Sequence, residues 1–168
     1  MDNNISNFPK RKNMRLREYD YSETGRYFVT VCTYRRQNIF EIDSVGNTQC
    51  GVPSIQNQII YKWINITENK FKNIKFDKYI IMPDHLHFIV NITERHIGRS
   101  LQDVMNFFKT MTTNDYINCV KNDALKPFNK KLWQKSYYDH IIRNQKDYNE
   151  IWEYIDNNPI KCVMMNKK

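Results

Sequence analysis

Two histidines near the middle of the chain stand where both imidazoles could bind one ion. His85 and His87 flank Leu86 in an apolar run that begins directly after Pro83-Asp84, a dipeptide suited to a tight turn. Side chains alternate between the two faces of a strand, so the histidines point the same way and Leu86 points the other way. Their bases lie about 6.6 Å apart at about 3.3 Å per residue, close enough for both rings to lean onto one ion. Two histidines exposed on a sheet face would show the same spacing, and the motif alone leaves both interpretations open.

A second candidate group lies near the C-terminus, in a segment with helical spacing. Tyr154 and Asn158 are one turn apart and project together, whereas Tyr148 lies on a face about 120° away. A phenol has a pKa near 10, so Tyr154 needs a cation or a base nearby to act as a nucleophile. Tyr148 is the second candidate nucleophile. Both tyrosines also fit the pattern of half-buried packing residues.

Other titratable residues are weaker candidates. His140 follows Asp139 and suits a DNA contact, a proton relay or a structural role. Asp84 could orient a neighbouring histidine by hydrogen bonding to its second nitrogen, although its place in a turn already explains it. His96 falls in a loop, and we assign it no role.

Basic residues are concentrated at the start of the chain. We predict an arm over residues 1–17 that precedes a single domain over residues 18–168. The arm would contact phosphates, adding affinity without reading sequence, or it would be a frayed terminus with no role. Its basic residues are Lys10, Arg11, Lys12, Arg15 and Arg17.

The elements that must position these residues follow from their patterns. The chain predicts a strand over 27–34, a helix opened by Pro53, hairpin strands over about 74–82 and 86–92, a helix from near Gly98, a short strand within 132–143, and a helix from Asn144 to about Asn158. Asn144 is the candidate N-cap of the last helix, whose spacing includes Ile151, Trp152 and Ile155. Pro159 discourages continuation of this helix. The order strand–helix–strand–strand–helix–strand predicts an α+β, ferredoxin-like (RRM-like) antiparallel sheet with helices on one face. The C-terminal helix that carries the tyrosine is an addition, and the histidines could point to the open sheet face.

Composition limits the class of partner. The 168 residues, 40% of them hydrophobic, suit one domain with a real core. A formal net charge of +8 favours nucleic acid as the partner, and the 14% aromatic content offers surfaces for unpaired bases, although a generic basic protein has the same charge. Four dispersed cysteines argue against a zinc ribbon or a disulfide framework. We found no signal peptide or membrane span and expect a cytoplasmic protein without a membrane partner.

The chain resembles the REP-associated tyrosine transposases, a group within the single-tyrosine HUH transposases of insertion sequences. The resemblance covers about residues 11–162, with the motifs in the expected order. The hairpin motif together with the Tyr-Ile-x-x-Asn-Pro sequence is its most specific part. The matching residues are Arg15-Leu16, Tyr19-Asp20-Tyr21, Gly25 to Thr30, Met82 to His87, Trp133-Gln134, Tyr137 to Arg143, Asp147-Tyr148 and Tyr154 to Pro159.

The resemblance implies breakage and joining of single-stranded, hairpin-bearing DNA. It implies that His85 and His87 ligate a divalent metal, Mg²⁺ or Mn²⁺, and that Tyr154 is the nucleophile, forming a 5′-phosphotyrosine. Asn158 stands where many relatives have Gln and would complete the metal site, although an Asn is shorter and binds more weakly. Relatives of the insertion-sequence type exchange the tyrosine helix between subunits and the REP-associated group act as monomers, so a monomer and a homodimer both remain open.

Two alternatives come from other functional classes. The same scaffold serves non-catalytic modules that bind single-stranded nucleic acid, although those place aromatic residues on the central strands where this chain has histidines. A structural or protein-interaction module with a basic surface is the other alternative. Covalent trapping on DNA would separate all three.

Overall fold

One antiparallel sheet, three α-helices and a short 3-10 helix (Tyr34–Arg36) are the regular elements in the described part of the chain. The computed structural model describes residues 24–42, 53–94 and 100–165, with side chains through Asn158. The strands are β1 (Gly25–Cys32), β2 (Ile74–Met82), β3 (His85–Ile92) and β4 (Tyr138–Ile142), and the helices are α1 (Ile55–Lys70), α2 (Leu101–Lys121) and α3 (Gln145–Met165). The strand order β2-β3-β1-β4, with all neighbours antiparallel, confirms the predicted ferredoxin-like α+β fold.

Helices pack against both faces of the sheet. Strand alternation sends Val29, Leu86 and Phe88 to one face, where α1 and α2 complete the main core. It sends Ile89 to the other face, where α3 contributes Ile155. This second, smaller cluster consists of Ile80, Met82, Ile89, Ile142 and Ile155, with Phe28, Tyr148, Ile151 and Trp152 packed against it. The added helix therefore covers part of the face that α1 and α2 leave open.

An irregularity in β2 keeps that strand in register with the core. The pairing with β3 shifts between Phe76 and Lys78. An extra residue at such a bulge reverses the alternation, so even-numbered Phe76 and odd-numbered Ile81 both reach the main core. Ile80 and Met82 thereby reach the α3 side.

Three predicted boundaries were wrong. β1 ends at Cys32 and not at residue 34, because Arg35 and Arg36 adopt positive φ angles that break the strand. α1 begins at Ile55 with Ser54 as its N-cap, so Pro53 lies outside the helix.

The third correction concerns α3, which runs past Pro159 to Met165 instead of ending near Asn158. A proline inside a helix removes one backbone hydrogen bond but has a helical φ, so the helix can continue at a local cost.

Other sequence-based predictions fall outside the described residues. The arm over residues 1–17 and His96 are among them. Within the described part of the chain, no helix is long and apolar enough to cross a membrane. Cys32 and Cys119 are free thiols.

Candidate active site

The two histidines lie at the start of β3 and face α3. Pro83 and Asp84 form a two-residue turn between Met82 and His85, which are paired across the hairpin. His87 is 5% exposed, and the side chain of His85 is 17% exposed. Their Nε2 atoms are 3.1 Å apart. The local alternation of β3 therefore brings both ring nitrogens to one point, as the sequence predicted.

Asp84 fixes the orientation of the His85 ring. Its Oδ1 lies 2.5 Å from His85 Nδ1, and its Oδ2 accepts a hydrogen bond of 3.2 Å from Arg36. The backbone carbonyl of Asp84 accepts hydrogen bonds from both the backbone N–H and the hydroxyl of Thr33. A carboxylate can only accept, so His85 Nδ1 carries the hydrogen and, in the neutral ring, Nε2 keeps its lone pair.

Thr30 is the corresponding partner of His87. It lies directly opposite His87 in the β1–β3 pairing, and its hydroxyl is 2.8 Å from His87 Nδ1. A hydroxyl can donate or accept, so Thr30 supports either tautomer of the ring. Burial above all, then the neighbouring His85 and Arg36, lowers the pKa of His87 to about 3. His87 is therefore a neutral imidazole at physiological pH.

This arrangement fits a divalent cation between the histidines. Two nitrogen ligands at right angles, each about 2.1 Å from an ion, would lie about 3 Å apart, close to the observed separation of the two Nε2 atoms. Hydrogen bonds from the second ring nitrogens to Asp84 and to Thr30 are typical of metal-binding histidines. A cation between the two Nε2 atoms requires the His87 proton to reside on Nδ1, where the hydroxyl of Thr30 can accept its hydrogen bond.

The third ligand remains a prediction. In the described ranges, no cluster of three His, Cys, Asp or Glu side chains could hold a metal ion. Asn158 is half-buried, and its Nδ2 atom is buried without a hydrogen-bonding partner among the residues that the structure describes. Burying an unpaired amide costs free energy, so such an atom indicates a site for a further partner. A rotation of the amide would exchange nitrogen for oxygen, which is the ligand atom that a hard cation prefers.

Tyr154 lies beside this histidine pair. Its ring centroid is 5.4 Å from that of His87 and 5.9 Å from that of Phe28, edge to face in both contacts. Phe28 in turn stacks on His87 at 5.0 Å. Tyr154 is nevertheless 44% exposed, so its phenol adjoins the histidines and remains open to solvent. The same contacts also fit the half-buried packing residue that the sequence allowed, so the role of Tyr154 as a nucleophile stays a prediction.

The position of Tyr154 depends on how α3 is attached to the sheet. Ile155, one residue later, is 1% exposed in the cluster beneath the helix. Asp156 forms an ion pair with Lys78 of β2 at 2.5 Å. At the start of the helix, Asn144 Oδ1 accepts a hydrogen bond from the backbone N–H of Asp147, as predicted for an N-cap. These contacts hold the helix along the sheet.

Tyr148 and His140 have other surroundings. Arg26 lies over the Tyr148 ring at 4.6 Å, and the pKa of Tyr148 is raised by burial, then by Asp77, to which it also hydrogen-bonds. A raised pKa makes this phenol a poorer nucleophile. His140 Nε2 lies 3.0 Å from Asp147, an interaction that joins β4 to the first turn of α3.

Sequence analysis missed Thr30, Phe28 and Arg36. Each belongs to β1 or to the turn after it, more than 45 residues before the histidines that they contact or support. Their contribution depends on the register between β1 and β3, which no local pattern specifies. A polar Thr30 between apolar Val29 and Val31, on the same face as Phe28, was the available signal.

Comparison with known proteins identifies a family for this chain. A family model described as "Transposase IS200 like" matches residues 21–158. The chain belongs to the IS200-like transposase family. The match extends from just before β1 to Asn158 in α3, so it includes both histidines and the tyrosine.

Individual relatives of this IS200-like transposase cover most of its length. An uncharacterized protein of Haemophilus influenzae is 31% identical over 89% of this chain and 88% of its own. The REP-associated tyrosine transposase of Escherichia coli K12 is 24% identical over 83% of this chain and 73% of its own. Among solved structures, a REP-associated tyrosine transposase bound to a REP hairpin shares the fold, with a TM-score of 0.61 and 24% identity over 88% of this chain and 73% of that one.

Proposed function

We propose that this transposase nicks and rejoins single-stranded DNA beside a hairpin, through a covalent bond to Tyr154. The observation that carries the proposal is that the Tyr154 ring lies next to a pair of histidines. The ring centroids of Tyr154 and His87 are 5.4 Å apart, and the Nε2 atoms of His87 and His85 are 3.1 Å apart. An exposed phenol next to two oriented imidazoles is a suitable arrangement for a nucleophile acting on a phosphodiester. Family membership and the hairpin bound by the related structure support DNA as the substrate.

Each residue of the site would have a separate role in this reaction. His85 and His87, with Asn158 as the third ligand, would hold Mg²⁺ or Mn²⁺, and a mixed set of nitrogen and oxygen ligands leaves the choice between these ions open. When bound, such a cation neutralises and orients the phosphate oxygens. Asp84 and Thr30 orient the two rings. Phe28 fixes the Tyr154 ring against His87.

The proposed reaction conserves a high-energy linkage. Tyr154 Oη loses its proton to solvent and forms a bond to phosphorus, the bond from phosphorus to the 3′ oxygen breaks, and the 3′ oxygen leaves with its electron pair and takes up a proton from solvent. The products are a 5′-phosphotyrosine and a free 3′-hydroxyl. Because the phosphodiester is exchanged and not hydrolysed, another 3′-hydroxyl can reverse the step without ATP.

Covalent trapping tests this proposal. We expect incubation with a single-stranded hairpin oligonucleotide and Mn²⁺ to give a denaturation-resistant adduct that carries a label from the 3′ end of the DNA but not from the 5′ end. Tyr154→Phe should abolish the adduct, and so should His85→Ala and His87→Ala. Tyr148→Phe is the matched control, because it removes the other phenol of α3, and it should keep the adduct.

Two outcomes would contradict the proposal. An adduct that survives Tyr154→Phe and disappears with Tyr148→Phe would move the nucleophile to the other tyrosine. DNA binding without an adduct on any hairpin tested would favour a non-catalytic single-strand binder.

A further inference from the structure

A groove lies outside the site described above, between α2 and the segment over residues 128–135. Its volume is about 520 Å³. One wall is the exposed side of α2 from Asn106 to Ile117, and the other is the chain that leads towards β4. Trp133 joins the two walls by donating a hydrogen bond from Nε1 to the hydroxyl of Thr112. We call this feature the α2 groove.

The described charged side chains that line the α2 groove are all basic. Four lysines line it and no acidic side chain does, among the lining residues that the structure describes. Lys109 has a structural role, because its Nζ donates to the carbonyl oxygens of Gln134 and Lys135 at 2.7 and 2.9 Å, and burial lowers its pKa to about 8. Lys130, Lys131 and Lys135 are exposed and can meet an anion. The groove therefore suits a polyanion.

The same groove also has an apolar surface. Ile117 is 36% exposed on α2, and the half-buried ring of Phe128 lies across from it, braced edge-on by Tyr116 at 5.5 Å. Amide side chains of Asn114 and Gln134 complete the lining. An aromatic face beside lysines and amides is what an unpaired base and its phosphate require. A duplex, whose bases are stacked inside, would use only the lysines.

A hydrogen-bonded turn connects the α2 groove with the histidines. Gln37 donates from Nε2 to the carbonyl oxygens of Asn129 and Lys131, and its Oε1 accepts from the backbone N–H of Asn129 at 2.8 Å. The preceding residue, Arg36, bonds to Asp84, which orients His85.

Positive φ angles occur both in this turn and in the groove wall. Arg35, Arg36 and Lys130 all have φ between 56° and 60°, a conformation that costs free energy in residues other than glycine. Through Gln37 and Arg36, this one turn hydrogen-bonds both to the groove wall and to the Asp84 carboxylate that orients His85.

We propose that the α2 groove binds the single-stranded DNA that flanks the hairpin, with a base on Phe128 and phosphates on Lys130 and Lys131. The proposal rests on the proposed function, because it assigns the flank of the same DNA whose phosphodiester reaches Tyr154. Gln37 hydrogen-bonds to the groove wall and adjoins Arg36, so the groove and the histidine site are connected through this turn. The groove would therefore set how tightly a flanked hairpin is bound.

The test compares three hairpins with the same stem: one without a tail, one with a tail of about eight thymidines at the 5′ end and one with this tail at the 3′ end. Lys130→Gln/Lys131→Gln removes two exposed charges of the groove. Lys72→Gln/Lys75→Gln is the matched control, because it removes two exposed charges at the opposite end of the sheet.

We expect a tail on one of the two ends to raise the affinity of the wild-type protein for the hairpin. The groove variant should bind this tailed hairpin about tenfold more weakly than the wild type does, and should bind the other two hairpins nearly as well as the wild type does. The logarithmic salt slope should fall by about 1.4, because each of the two lysines accounts for about 0.7 when it neutralises a single-strand phosphate. The control should weaken binding equally little on all three hairpins. Phe128→Leu, with 2-aminopurine in the tail, should remove the quenching that stacking on the ring produces.

The proposal fails if the groove variant and the control weaken binding to all three hairpins alike, or if Phe128→Leu leaves the quenching unchanged. The adduct assay separates this outcome from failure of the proposed function. If the wild-type protein forms an adduct but the groove variant has no selective effect on the tailed hairpin, only the groove proposal is wrong. If the groove variant selectively loses binding to the tailed hairpin but the wild-type protein forms no adduct, the groove proposal holds and the strand-transfer proposal is wrong.

Discussion

His87 is a histidine that the fold keeps uncharged. It is 5% exposed, and its Nδ1 is paired with the hydroxyl of Thr30. Burial, His85 and Arg36 all disfavour the imidazolium. A metal ligand must offer a lone pair, and a neutral imidazole offers one without first losing a proton.

Acid should destabilise the protein through His87. Its folded pKa of about 3 lies below the value of 6.5 for the unfolded chain, so the unfolded state binds more protons between these pH values. The stability contribution is fully present above pH 6.5 and is lost as the pH falls towards 3, with a loss of up to a few kcal/mol at about 1.4 kcal/mol per pKa unit. Urea unfolding of chelator-treated protein at about pH 7 and about pH 4.5 measures it.

The variant that tests this is His87→Gln. We expect it to flatten the dependence of unfolding free energy on pH, because it removes the group whose pKa differs between the folded and unfolded states. Parallel curves for the wild type and His87→Gln would show that other groups cause the acid sensitivity.

Local patterns predicted some site residues and missed others for one physical reason. The shared face of His85 and His87 follows from alternation within one strand, which the sequence shows directly. The support of Asp84 for His85 is a contact between neighbours, and it was foreseen as a possibility. Thr30 reaches His87 only through pairing of strands 57 residues apart, so only the tertiary fold reveals it.

At the level of elements, α3 controls the distance between Tyr154 and the histidines. It was predicted from the apolar spacing that ends in Ile155, and its N-cap from Asn144. Its course past Pro159 was not predicted, because propensity alone treats a proline as a stop and ignores the rest of the helix. Its placement against the sheet comes from Ile155 and the Lys78–Asp156 ion pair, which join residues far apart in sequence.

Weakening the start of α3 should therefore loosen Tyr154. Asn144→Ala removes the acceptor for the backbone N–H of Asp147, and loss of such a cap costs about 1 kcal/mol. We expect a lower free energy of unfolding and slower adduct formation at saturating DNA, with DNA affinity retained. A time course of covalent trapping measures the rate of adduct formation, and urea unfolding measures the free energy of unfolding.

Glu150→Ala is the control for this element. It removes an exposed side chain of the same helix whose only described ion pair, with Lys146, spans 3.8 Å, and surface pairs of this kind contribute little. Equal slowing by both substitutions would mean that the cap does not position Tyr154.

On the scale of the whole molecule, sequence predicted a chemistry and a scaffold but not the surfaces between elements. The fold followed from the order of the strands and helices, and the charge of +8 indicated nucleic acid. The α2 groove was not foreseen, because its lysines come from a helix and from a loop that are brought together only by tertiary contacts. Lys126, Lys130 and Lys131 of the loop can be read from the sequence, but the sequence does not indicate that α2 lies opposite them.

The basic arm over residues 1–17 gives the last prediction, and it concerns long-range charge. Replacing Lys10, Arg11, Lys12, Arg15 and Arg17 by Gln lowers the formal net charge from +8 to +3, since five positive charges are removed. If the arm contacts phosphates, affinity should fall alike for every DNA sequence, the salt slope should drop by about 0.7 for each single-strand phosphate that the arm neutralises, and the position of cleavage should stay the same. Binding titrations over a range of salt concentrations measure this, with Lys72→Gln/Lys75→Gln showing the effect of charge alone. An unchanged salt slope would identify the arm as a terminus without a role in binding, and a shifted cleavage position would mean that it reads sequence.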